Sequence, residues 1–85
     1  LWVDEKLTEH GLKHNIHPPI PNSTKFADFL VNGIYSEVDG MSKEKEEDWN
    51  GKLEVYRKNN LKFIIIKPKD DIDKIMENIK NGKLN

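Results

Sequence analysis

The sequence predicts an α+β fold: a small antiparallel sheet of about three strands, including a C-terminal β-hairpin, packed against two or three helices. Three observations carry this expectation. Phe63-Ile64-Ile65-Ile66 is a short apolar run closed by Pro68, the pattern of a strand covered on both faces. Ile72, Ile75, Met76 and Ile79 follow at helical spacing. Ile34-Tyr35-Ser36-Glu37-Val38 has strand composition and ends at Asp39-Gly40, a turn pair.

Residues 1–17 predict a short amphipathic helix with a ragged end, its apolar positions Trp2, Val3, Leu7 and Leu12, interrupted or capped at Gly11. His17-Pro18-Pro19-Ile20-Pro21 is too proline-dense for a helix or a central strand and predicts an extended connector. The expected organisation is an N-terminal arm with a proline-rich connector over 1–21 and one small domain over 22–85. Two readings compete for the next segment. Asn22-Ser23-Thr24 caps followed by Phe26, Phe29 and Leu30 favour a helix near 23–32, stopped by Asn32-Gly33. The rival is a type I′ hairpin centred on Asn32-Gly33.

Ser42 to Trp49 is charged and fits a short exposed helix or a loop, with Ser42 as its cap, and Asn50-Gly51 suggests another turn. Leu53–Arg57 and Leu61–Lys67 predict a hairpin around Lys58-Asn59-Asn60. A two-stranded ribbon cannot cover both faces of 63–66, so a third strand is needed, from 34–38 or from another chain. The last helix, near 71–81, starts at an Asp70 or Asp71 cap with Asp73 in its first turn. It ends with Lys80, Lys83 and Gly82. The predicted core joins Phe63–Ile66, Phe26 and Phe29 to Ile72, Ile75, Met76 and Ile79.

An 85-residue chain has room for one domain. No stretch approaches the ~20 apolar residues of a membrane span, so no membrane association is expected. Leu1-Trp2-Val3-Asp4-Glu5 lacks the basic and apolar regions of a signal peptide. The chain has no cysteine, which excludes a disulfide scaffold and fits an intracellular, cytoplasmic setting. Lysine, asparagine and isoleucine supply 31 of the residues, the bias of an AT-rich coding sequence. Arginine occurs once, at Arg57, which disfavours sequence-specific DNA reading because lysine lacks the bidentate fork.

Three features bear on chemistry. His10 and His14 are four apart and would share a helix face, but Gly11 stands where a metalloprotease helix needs glutamate, and solvated histidines are the favoured reading. The acids Glu44, Glu46, Glu47 and Asp48, then Asp70, Asp71 and Asp73, have neither calcium-loop spacing nor a partner base, and Asp39 with Glu54 lacks the Glu-x-Lys of a metal-dependent nuclease. Val55 to Lys69 carries five basic residues and no acid: Arg57, Lys58, Lys62, Lys67 and Lys69. These would contact phosphates, with Tyr56 or Trp49 for stacking, or would simply blunt a strand edge. The net charge is −1, so this segment is a basic element on a mildly acidic body.

With no catalytic set, no cofactor is expected. The leading expectation is a non-catalytic module that binds another protein or a second copy of itself. It would be a small regulator or inhibitor, or a subunit or domain of a larger assembly, with Trp2 on the arm available for docking. The alternative is a nucleic-acid-binding protein that uses the basic hairpin 55–69. A metal-dependent enzyme built on the histidines is the remote option.

Overall fold

The structure, a computed structural model, describes residues 2–39 and 46–82. Among these residues the chain forms α1 (Trp2–Glu9), β1 (His14–Ile16), β2 (Phe29–Val31), β3 (Ile34–Val38), α2 (Glu46–Lys58), β4 (Phe63–Ile66) and α3 (Ile72–Lys80). The fold is α+β, with a four-stranded sheet in the order β1-β2-β3-β4. The first three strands are antiparallel and β4 runs parallel to β3, so the sheet is mixed rather than wholly antiparallel.

The segment 23–32 is not a helix. Asn32 and Gly33 both take positive φ, 51° and 76°, the backbone of a type I′ turn, and they join β2 to β3 as a hairpin. Ser23, expected to cap a helix, instead closes the turn after Ile20. Its Oγ donates to the Ile20 carbonyl and accepts from the Lys25 N–H. Phe29 is therefore a core residue, whereas Phe26, expected beside it, is 55% exposed.

The C-terminal hairpin is also corrected. Leu53–Arg57 belongs to α2, which runs through Asn50-Gly51 without turning. A parallel pair needs a crossover element, and α2 is that element between β3 and β4. Gly51 costs the helix about 1 kcal/mol relative to alanine. A Cβ there would lie 3.1 Å from Cε of Lys25, so the glycine gives the Lys25 stem its passage. Ser42, Gly40 and Lys83, named as a cap, a turn residue and a helix-end charge, lie outside the described residues.

The helices cover both faces of the sheet. On one face Phe29, Val31, Ile34, Val38, Ile64 and Ile66 meet Val3 and Leu7 of α1 and Ile75, Met76 and Ile79 of α3. On the other, Tyr56 of α2 packs with Ile20 and Ala27, bordered by Tyr35, Leu53, Leu61 and Phe63. The segment expected as an arm thus places Val3 and Leu7 in the main core. α3 matches its expected cap and apolar stripe: Asp71 accepts from Lys74 N–H, and Gly82 follows the C-cap with φ 74°. Asn32 Nδ2 donates to the Ile79 carbonyl at 2.8 Å and ties the hairpin turn to the end of α3.

Ser36 sits between Phe29 and Ile64 on the main-core face, and its buried Oγ has no hydrogen-bond partner among the described residues. An orphaned buried hydroxyl opposes folding. Ser36→Ala is expected to raise stability by about 1 kcal/mol, seen as a later midpoint in urea unfolding. An unchanged or earlier midpoint would mean that the hydroxyl is satisfied.

Candidate interaction surface

The five basic residues lie on either side of β4 rather than on a hairpin. Arg57 and Lys58 end α2, Lys62 precedes β4, and Lys67 and Lys69 follow it. Four strand residues separate Lys62 from Lys67, five steps or about 16 Å along the strand. All five are exposed, and none forms an ion pair among the described residues. Arg57 and Lys58 also complement the C-terminal end of the α2 dipole. Tyr56, one of the two residues expected to stack on bases, is fully buried, and Trp49 is half-buried.

Between the two basic groups lies the edge of the sheet. Among the described residues β4 pairs only with β3. Tyr35 N–H reaches the Lys62 carbonyl at 2.9 Å and Asp39 N–H reaches Ile66 at 2.8 Å, which fixes the alternation of the ladder. The peptide groups of Ile64 and Ile66 turn toward β3, and those of Phe63 and Ile65 turn outward. At Lys67 this open edge closes, because Lys67 N–H donates to Asp70 Oδ2 and its carbonyl accepts from Asp70 N–H. Sequence reasoning missed the edge because it assigned the wrong partner to 63–66.

The titratable groups are engaged elsewhere. Glu37, on the α2 face of the sheet, is fully buried. It accepts from Tyr56 Oη at 2.5 Å and from Lys52 Nζ at 3.2 Å, two residues one turn apart on α2. Burial holds the Glu37 carboxyl above its ordinary pKa despite the Tyr56 and Lys52 contacts. Its ionisation therefore opposes folding: the cost is absent below the ordinary carboxylate value and complete above the folded one. Burial, then the Glu37 carboxylate, drives the Tyr56 phenol upward, so it remains a donor. Tyr56 also stacks on Phe63, with ring centroids 4.9 Å apart.

The histidines are brought to three different places, because α1 ends before Gly11 (φ 71°) and His14 stands in β1. His10 Nε2 donates to Asp73 Oδ1 of α3 at 3.0 Å, where Lys6 Nζ also arrives at 3.2 Å. These partners hold the Asp73 carboxyl below its usual range. His14 meets acceptors at both nitrogens: the Leu12 carbonyl at Nδ1 (2.9 Å) and Asp4 Oδ1 at Nε2 (2.5 Å). Only the imidazolium donates twice. His17 is exposed. No group of three or more histidine, aspartate or glutamate side chains is placed to hold a metal among the described residues. Glu44 lies outside the described residues, as do the side chains of Glu46, Glu47 and Asp48. Asp70 and Asp71 cap the turn after β4 and helix α3, and Glu54 is exposed on α2.

No helix among the described residues is long and apolar enough to cross a membrane. Comparison with protein-family models, with curated proteins and with solved structures found no match to this chain.

Two outcomes follow from the buried polar groups. Tyr56→Phe removes a donor to a buried carboxylate and is expected to cost about 2 kcal/mol in urea unfolding. A cost below about 0.5 kcal/mol would show that Glu37 does not need it. For His14, burial works against the charged ring, but the Leu12 carbonyl and the Asp4 carboxylate outweigh it and raise the pKa above 6.5. The stability it contributes is complete below the unfolded value and is lost as pH rises through the folded one. The stability gap between the native chain and His14→Gln should therefore narrow as pH rises from mildly acid to mildly alkaline. Parallel pH profiles for the two proteins would contradict the paired imidazolium.

Proposed function

We propose that this chain is a non-catalytic protein-binding module that takes an extended segment of a partner polypeptide onto the open edge of β4. One observation carries the proposal. The most apolar strand of the sheet stands at its edge with the peptide groups of Phe63 and Ile65 directed outward. Strand addition of this kind draws its affinity from main-chain hydrogen bonds and its selectivity from alternate side chains. A small regulator, an inhibitor, or a subunit or domain of a larger assembly would use the same contact.

The polar groups support this reading. Glu37 is sealed beneath α2, and both ring nitrogens of His14 are occupied, so neither offers a lone pair to a substrate. Exposed apolar side chains at Ile16 and Phe26, each 55% exposed, add surface for a protein partner, as does Trp2 at the start of α1.

Ile65→Pro tests the edge. Proline there removes an outward N–H and no bond to β3, so the fold tolerates it as edge strands do. Extended peptides selected by display against the native chain should slow amide exchange at Phe63 and Ile65. They should bind the variant roughly tenfold more weakly, the loss of one hydrogen bond together with its steric fit. Peptides that bind both proteins equally, or that leave those amides exchanging freely, would rule out edge docking.

A further inference from the structure

The two edges of the sheet are not protected alike. β1 has three residues, and the chain leaves it through His17 at φ 51° and then Pro18-Pro19. A kink and prolines are the means by which edge strands are kept from pairing. β4 has no such device: none of its four residues is charged, is proline, or has positive φ. Its cations stand outside it. Lys62, with Arg57 and Lys58 on the same side, precedes the strand, and Lys67 and Lys69 follow it. A lysine that blunts an edge interrupts the strand, whereas these bracket it and leave Phe63 and Ile65 open.

Resting on the docking reading above, we infer that the occupant of this edge is an extended polypeptide segment with acidic residues on both sides of a short apolar or β-branched stretch. Such a segment pairs with the peptide groups of Phe63 and Ile65 and sets carboxylates against Lys62 at one end and Lys67 and Lys69 at the other. A second copy of the chain is the poorer fit. Two β4 strands related by a two-fold axis meet antiparallel, so the Lys62 end of each faces the Lys67–Lys69 end of the other. Like charges set opposite one another destabilise a strand pair. A nucleic acid supplies negative charge but nothing that continues a β-ladder, and Tyr56 is not available to stack on it.

Two synthetic peptides with the same Thr-Val-Thr-Val centre, one flanked by glutamates and the other by lysines, test the inference on the full chain by fluorescence anisotropy. The glutamate peptide is expected to bind roughly tenfold tighter at low salt, from several exposed ion pairs acting together. Added salt should shrink that advantage. The double variant Lys62→Glu/Lys67→Glu should reverse the preference, and amide exchange at Phe63 and Ile65 should slow in the complex. Equal affinity for the two peptides, with those amides protected, would overturn the acidic occupant and leave edge docking standing. A free chain that dimerises with the same amides protected would overturn it in favour of a second copy. If neither peptide binds, or if binding leaves the amides unprotected, the acidic occupant and edge docking both fall.

Discussion

The buried contact of Glu37 with Tyr56 and Lys52 is the constraint on which the rest of the structure depends. A carboxylate on the middle of a strand is tolerable beneath a helix only when that helix brings donors to it. α2 does so from one side, with Lys52 and Tyr56 a turn apart. That requirement fixes how α2 turns about its axis and where it lies on the sheet. The same placement stacks Tyr56 on Phe63 and sets the start of β4 beside Tyr35. Removing one member would strand a buried charge, which destabilises far more than an absent surface pair. The contact thus specifies α2 as a crossover, and with it the parallel direction of β4.

Much of this was legible in the sequence where a local pattern had one physical solution. α3 has its Asp71 cap, its apolar stripe and Gly82, all pointing to the same element. The apolar run 63–66 implies cover on both faces and a strand beyond a two-stranded ribbon. Of the two sources for it, 34–38 or another chain, 34–38 is the neighbour of β4. That covering was itself a sign of a parallel strand, and a parallel strand implies a crossover helix between 38 and 63. The alternation in Leu53-Glu54-Val55-Tyr56-Arg57 obscured it. The same residues place Trp49, Leu53 and Tyr56 on one helical face, and only the demand of Glu37 for donors separates the two readings. Asn32-Gly33 posed a similar choice. Its positive φ at both positions settles it as a hairpin, and the capping residues Ser23 and Thr24 belong to a different turn.

The candidate surface was harder to see from sequence, for a geometric reason. Five cations without an intervening acid look like one basic element when they are neighbours in the chain. A strand between them holds the groups apart instead. The histidines show the converse error: His10 and His14 suggest one helix face, but the left-handed turn at Gly11 sends them to different partners. No residue pattern announces an open edge. It is a property of strand order, and it becomes visible only when the partner of every strand is known.

The main core has a further consequence, for the way the chain folds. It draws on Val3 and Leu7 at one end and on Ile75, Met76 and Ile79 at the other, and His10 and Lys6 meet Asp73 across the same helix pair. Its contacts therefore join residues separated by most of the polypeptide. A large loop must close before those contacts repay the lost chain entropy, and such topologies fold more slowly than ones built from neighbouring segments. A chain emerging from the ribosome can form the β2–β3 hairpin early. The core beneath it stays incomplete until α3 has been synthesised.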